Sequence, residues 1–266
     1  MKTRAFTYRS LVLLSAFLVL LTGCQPESTP LATEAPLPIV EAATVTPSPV
    51  PAQSEEPAMQ ISADINLDPA LAQDADSAMI SQYLYEGLVR LDESGAPQPA
   101  LAESWVISDD QLDYIFTLRS TAVFSDGTPI TPDVIVENFN RWFDPQHPLH
   151  GSGDFAVWGR IFLGFHGEKD TSDRAKSTVD GIQKVDVNTV LIHLNRLMPD
   201  LLTDLADPAI AILKPTTLAS AGYGGRDSTI ISSGPYIVSA WTDNGLTLAP
   251  NPSYWGNKPI EGLNFT

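Results

Sequence analysis

Residues 113–119 read Asp-Tyr-Ile-Phe-Thr-Leu-Arg, and residues 131–143 read Thr-Pro-Asp-Val-Ile-Val-Glu-Asn-Phe-Asn-Arg-Trp-Phe. In the first stretch Tyr114, Phe116 and Leu118 alternate with Ile115 and Thr117, the period of a half-buried strand. The second opens on a capping threonine, a proline at the first helical position and an acid in the first turn. That combination predicts a helix to about Phe143. Before the strand, Glu103 to Ser108 predicts its partner, with Asp109-Asp110 at the turn between them.

Working outward, Asp74 or Asp76 can cap a helix reaching about Leu88, whose Ile80, Leu84 and Leu88 form an apolar stripe. Asp144 to Thr178 is rich in Pro, Gly, His and Asp, predicting loop with a short helix around Trp158. Val185-Val187 and Val190-Ile192-Leu194 predict a hairpin, Leu197 to Ala206 a helix, and Ala209 to Leu213 a short buried strand. Tyr236 to Trp241 and Leu246 to Ala249 predict a last hairpin around Asp243-Asn244-Gly245. Strands and helices alternate without a regular βαβ rhythm, so the fold class is mixed α/β.

The amino-terminal end has a different character. Lys2, Arg4 and Arg9 precede the apolar run Leu11 to Leu21, which is short for a bilayer-spanning helix of ~20 residues. Residues 1–23 therefore read as a signal peptide. Its end, Leu21-Thr22-Gly23-Cys24, is similar to a bacterial lipobox, which implies that Cys24 is lipidated and anchors the chain to the membrane. Cys24 is the sequence's single cysteine, so no internal disulfide and no cysteine-built zinc site is possible. Residues 24–58 then form a tether: positions 25–57 hold eight prolines and no Gly, Lys or Arg, without apolar periodicity.

Composition narrows the function. A 43% hydrophobic content fits a globular chain, and a net charge of −17 excludes nucleic acid as a partner. No catalytic constellation is visible. Asp109-Asp110 are adjacent in a turn, where nothing splits their pKa values. Gly222 to Gly225 lacks the Lys-Ser or Lys-Thr of a phosphate loop. His147 and His150 have the spacing of a ligand pair but no evident third ligand, so a solvated loop is the stronger expectation and no metal or cofactor is expected. Trp142, Trp158, Phe162 and Phe165 can line a pocket or simply fill a core.

Several short stretches, taken in order, resemble one family. Leu67-Asp68-Pro69, Tyr85-Glu86-Gly87-Leu88-Val89-Arg90 and Pro99-Ala100-Leu101-Ala102-Glu103-Ser104-Trp105 come first. Phe116-Thr117-Leu118-Arg119, Phe124-Ser125-Asp126-Gly127-Thr128-Pro129, Ser233-Gly234-Pro235-Tyr236 and Asn251-Pro252-Ser253-Tyr254-Trp255-Gly256 follow. Together they are similar to the family 5 extracellular solute-binding proteins, the peptide- and nickel-binding subunits of ABC importers. The resemblance implies a periplasmic-binding-protein-like two-lobed clamp. The first lobe's core would take about 59–80 and 180–266, and an additional small domain about 81–179. The second lobe, which usually carries the charged ligand anchors, would lie beyond Thr266.

The resemblance further implies a non-catalytic protein outside the cytoplasm, in the periplasm or on the outer face of the plasma membrane. It would capture peptides and pass them to membrane permease subunits. Its ligand would lie along the backbone of Gln73, Asp74, Ala75 and Asp76, pairing as an added strand, with Trp158 as a candidate pocket wall. Nickel complexes and oligosaccharides stay open as cargo. Helix capping is an equal expectation for Asp74 and Asp76. The alternative function is a single lobe turned into a sensory or interaction module, or a nonfunctional fragment.

Overall fold

The computed structural model describes residues 58–61 and 65–266. The expected signal peptide, Cys24 and the expected tether up to residue 57 lie outside the described residues.

Helix α1 spans Ala75–Leu84. It starts where the Asp74 side chain accepts a hydrogen bond from the Ser77 amide at 2.8 Å, an N-cap as anticipated. It stops four residues earlier than expected because Tyr85 turns to extended backbone. A short hairpin of β1 (Val89–Leu91) and β2 (Pro97–Pro99) follows. Strands β3 (Ala102–Ile107) and β4 (Asp113–Leu118) pair antiparallel, with Trp105 opposite Phe116. Helix α2 (Pro132–Phe143) and helix α3 (Ala156–Phe162) come next, then β5 (Val179–Lys184) and β6 (Thr189–Leu194). The four strands form one antiparallel sheet in the order β3-β4-β6-β5.

This sheet runs through the boundary expected near residue 180, since β5 and β6 complete the sheet begun by β3 and β4. The hairpin itself is shifted. Its first strand is Val179–Lys184, while Val185 and Val187 sit exposed in the turn. Helix α4 (Leu201–Asp204) and a 3₁₀ turn over Pro208–Ile210 replace the longer helix and the buried strand predicted there. After α5 (Pro215–Leu218), strands β7 (Tyr236–Thr242), β8 (Gly245–Pro250) and β9 (Leu263–Phe265) form a second antiparallel sheet. Met59 lies parallel to Phe265 on the free side of β9.

Two apolar cores result. The larger gathers Phe116, Leu118, Ile135, Phe139, Trp142, Trp158, Phe162 and Ile192 between the four-stranded sheet and the helices α2 and α3. The smaller gathers Leu67, Ile80, Leu84, Leu213, Leu246, Leu248 and Phe265 between α1 and the three-stranded sheet. Asn138 of α2, fully buried, joins them. Its amide group donates to Leu213 O at 2.8 Å and accepts from Leu213 N at 3.0 Å, as a neighbouring strand would.

Candidate functional site

The chain crosses between the two cores at residues 66–77. Leu67 is in the smaller core and Ala70 in the larger one, three residues apart. Its first half is tied down by hydrogen bonds. Leu67 N donates to Gly224 O at 2.8 Å, and the Tyr85 hydroxyl donates to Leu67 O at 2.9 Å. The Tyr223 hydroxyl lies 3.1 Å from that of Tyr85. Burial pushes both phenols up, Tyr223 to about 12. Asn66 Oδ1 accepts from Asp68 N, and Asn66 N donates to Ser77 Oγ, each at 2.9 Å. Asp68 O accepts from Leu71 N and Ala72 N at 3.0 Å, closing the turn immediately before Gln73.

Inside this turn the Asp68 carboxylate makes a buried ion pair with Arg141 of α2. Burial raises the Asp68 carboxyl above its ordinary value, and the guanidinium opposes that shift. Arg141 is itself fixed, with Nε donating to Leu149 O at 3.2 Å and its guanidinium 5.1 Å from the Phe155 ring centre. His150 Nδ1 donates to Arg141 O at 2.7 Å, and its ring lies 4.4 Å from that of Phe155.

Beyond the turn, Gln73 is exposed, Asp74 partly buried and extended, and Ala75 exposed at the start of α1. Among the described residues neither the N–H nor the C=O of Gln73, nor the N–H of Asp74, has a hydrogen-bond partner. These open main-chain groups form a short edge that runs from the turn into the extended backbone of Asp74. The side chain of Gln73 reaches Asp154 Oδ2 at 3.5 Å. Gln73, Asp74, Ala75 and Asp76 are thus together on one surface by virtue of their sequence order. Trp158 is not with them.

Trp158 requires a correction. It is 1% exposed, packs 4.2 Å from Phe162 and 5.9 Å from Trp142 between ring centres, and donates Nε1–H to Gly164 O at 3.3 Å. Phe139 and Phe143 close the remaining sides, so the ring has no face that a ligand can reach and serves as core. Trp142 and Phe162 are buried alongside it. His147 and His150 also diverge, His147 facing Glu137 at 3.4 Å and His150 turning inward. No cluster of three His, Cys, Asp or Glu suited to a metal occurs among the described residues.

Apart from Leu67-Asp68-Pro69, which forms the turn, the stretches that resemble the solute-binding family meet elsewhere, in a knot that joins the two halves. Ser233 Oγ accepts from Glu86 N at 3.0 Å and donates to Ile212 O at 2.8 Å. Gly234 N donates to Leu84 O at 2.8 Å, and any Cβ at Gly234 would collide with the Leu84 and Tyr85 backbone. Asn251 Nδ2 donates to Gly234 O at 2.8 Å, and the Tyr254 hydroxyl donates to the Glu86 carboxylate. Arg119 stacks over Trp255 at 4.5 Å. These residues build the scaffold that joins the two halves.

Beside the knot is a cleft of about 560 Å³ lined by Glu86, Arg90, Asp204 and Asp207 among others. Burial raises the carboxyls of Glu86 and Asp204 above their ordinary values. Sequence reasoning missed the Asp68–Arg141 pair, whose partners are 73 residues apart, and the support from Tyr223. No local pattern signals either.

The model of the bacterial extracellular solute-binding proteins, family 5 (middle), matches residues 96–266. The periplasmic murein peptide-binding protein MppA of Escherichia coli (strain K12) is 30% identical over 195 residues, covering 72% of this chain and 35% of that protein. Heme-binding protein A of Haemophilus influenzae is 30% identical over 217 residues, covering 76% of this chain and 38% of its own length. The substrate-binding domain of an oligopeptide ABC transporter from Bacillus anthracis superposes with a TM-score of 0.62 at 27% identity, over 75% of this chain and 38% of that one. The chain therefore spans little more than a third of the length of these relatives.

Proposed function

The chain belongs to the bacterial extracellular solute-binding proteins, family 5, and we propose that it forms the first lobe of a non-catalytic binding protein capturing peptides for an ABC importer. The ligand's main chain would pair with the open groups of Gln73 and Asp74, while Ala75 and Asp76 flank it at the start of α1. Main-chain pairing confers affinity without selecting a sequence, which suits a scavenger of mixed peptides. The observation that carries this reading is the unpaired edge at residues 73–74, which follows a turn closed by Asp68 and tied to α2 by the Asp68–Arg141 pair.

On the same reading, residues 1–23 direct export and Cys24 carries a lipid. Positions 24–58 tether the lobe outside the cytoplasmic membrane, where it hands its cargo to permease subunits. About 59–80 and the carboxy-terminal sheet form the lobe's core, with the four-stranded sheet as its additional domain. Calorimetric titration of the purified chain with a mixed-sequence tripeptide pool tests the ligand class. Saturable heat with tripeptides and none with free nickel or a neutral trisaccharide is expected; binding of either alternative in place of peptide overturns it.

A further inference from the structure

We propose that the buried Asp68–Arg141 pair is a positioning latch, through which the helix α2 sets the conformation of the edge at residues 73–76. The proposal rests on that edge being the ligand contact.

The carboxylate and guanidinium side chains are 4% and 3% exposed, and they join α2 of the larger core to the segment that crosses between the two cores. Burying such a pair yields little net stability, because desolvation offsets most of the Coulombic gain. Its geometric effect is larger. Asp68 is the residue whose carbonyl closes the turn onto Leu71 and Ala72, and Ala72 directly precedes Gln73. Fixing the Asp68 side chain therefore fixes where the edge begins.

Arg141 is in turn located by Leu149 O, by Phe155 and, through its own carbonyl, by His150. All three belong to the loop that carries Asp154, whose carboxylate meets Gln73. The same loop presses Gly153 so close to Leu71 that a Cβ there would overlap the Leu71 side chain. The larger core thus grips the segment on both sides of the turn, at Asp68 and at Leu71–Gln73. An apolar pair could fill the space but could not fix the turn's direction. Arg141 is a positioning residue with no contact to the ligand.

Two measurements test this. Native-state amide exchange of the wild-type chain in rising denaturant is expected to show Leu71 and Ala72 opening together with α2, from Asn138 to Phe143. If they open with α1 and the three-stranded sheet instead, the latch is refuted, whatever the protein binds. The second measurement compares wild type with the double variant Asp68→Leu/Arg141→Met, and with Arg141→Lys should the double variant not fold.

The double variant is expected to keep its thermal midpoint but to exchange Leu71 and Ala72 about tenfold faster and to bind the tripeptide pool about tenfold more weakly. Arg141→Lys, which retains the charge but loses the Leu149 bond, is expected to show the same two changes in smaller measure. Unchanged exchange and affinity in a folded variant refute the latch. A wild-type chain that binds no peptide refutes the functional reading, while the exchange pattern still decides the latch.

Discussion

Replacing Asn138 by alanine removes the one side chain that serves both main-chain groups of Leu213. The wild-type amide makes three bonds, to Val134 O at 2.9 Å, to Leu213 O at 2.8 Å and from Leu213 N at 3.0 Å. Val134 O keeps its helical partner when the side chain goes. Leu213 loses its only partners among the described residues and, being fully buried, cannot turn to water. Two buried main-chain groups left unpaired, at ~1–3 kcal/mol each, give a loss of roughly 2–6 kcal/mol, centred near 4. That is a large share of a typical total of roughly 5–15 kcal/mol, yet it leaves the protein foldable.

Urea unfolding followed by tryptophan fluorescence measures it, with an unchanged slope expected because the surface exposed on unfolding is the same. Asn138→Asp retains the acceptor for Leu213 N but sets a carboxylate against Leu213 O, so it should be at least as damaging near neutral pH. A loss below about 1 kcal/mol for the alanine variant, with the same slope, would show that the side chain is not standing in for a strand.

Other perturbations follow from single sites. Leu163 ends α3 in left-handed backbone at φ 65° with its side chain 58% exposed. Leu163→Gly should therefore raise stability by about 0.5–1 kcal/mol in thermal or chemical unfolding, and a decrease would contradict the strain assigned there. Tyr254→Phe deprives the half-buried Glu86 carboxylate of its hydroxyl donor and should lower stability by about 0.5–1.5 kcal/mol; Glu86→Gln, which keeps an acceptor for Tyr254, should lower it less. The Asp92 carboxylate accepts from the Ser94 hydroxyl and from the Ala96 and Ser94 amides, lowering it to about 2. Because this folded value lies below the ordinary 3.8, its support of the loop 92–98 is complete above that pH and fades as pH falls toward 2. Carboxyl NMR titration with a midpoint near 4 would refute it.

The elements legible in the sequence are those whose signal is local. The alternation at Tyr114–Leu118 and the Pro132-Asp133 start state strand β4 and helix α2 within a residue, since side-chain period and a proline and acid in the first turn suffice, although the Thr131 side chain makes no capping hydrogen bond. Ala209–Leu213 failed as a strand for a nonlocal reason. Its backbone pairs with Glu86 O and with the Asn138 side chain, so apolar residues that suit a ladder are satisfied without one. The hairpin of β5 and β6 was misplaced because Gly181 and Asp180 weaken the strand signal just where the strand runs, beside an irregularity in register. Strand β2, Pro97–Pro99, carries two prolines and pairs only at an edge, which hides it.

At the site, the order Gln73, Asp74, Ala75, Asp76 came from resemblance, and the capping role of Asp74 from its residue type. What supports them was invisible. Arg141 reads as one charge on an amphipathic helix, and nothing nearby in sequence reveals a carboxylate 73 residues away. Trp158 misled because a tryptophan suits a pocket wall and a core equally well by type; only its neighbours Trp142, Phe139 and Phe162 decide.

The most direct test of the account is amide hydrogen exchange of the chain with and without a saturating mixed-sequence tripeptide pool. Slowing by about tenfold or more at the amides of Gln73, Asp74 and Ala75, with the four-stranded sheet unchanged, is the predicted result. Protection that instead falls on the cleft between Tyr85–Leu91 and Thr203–Pro208, leaving residues 73–75 as they were, would contradict it.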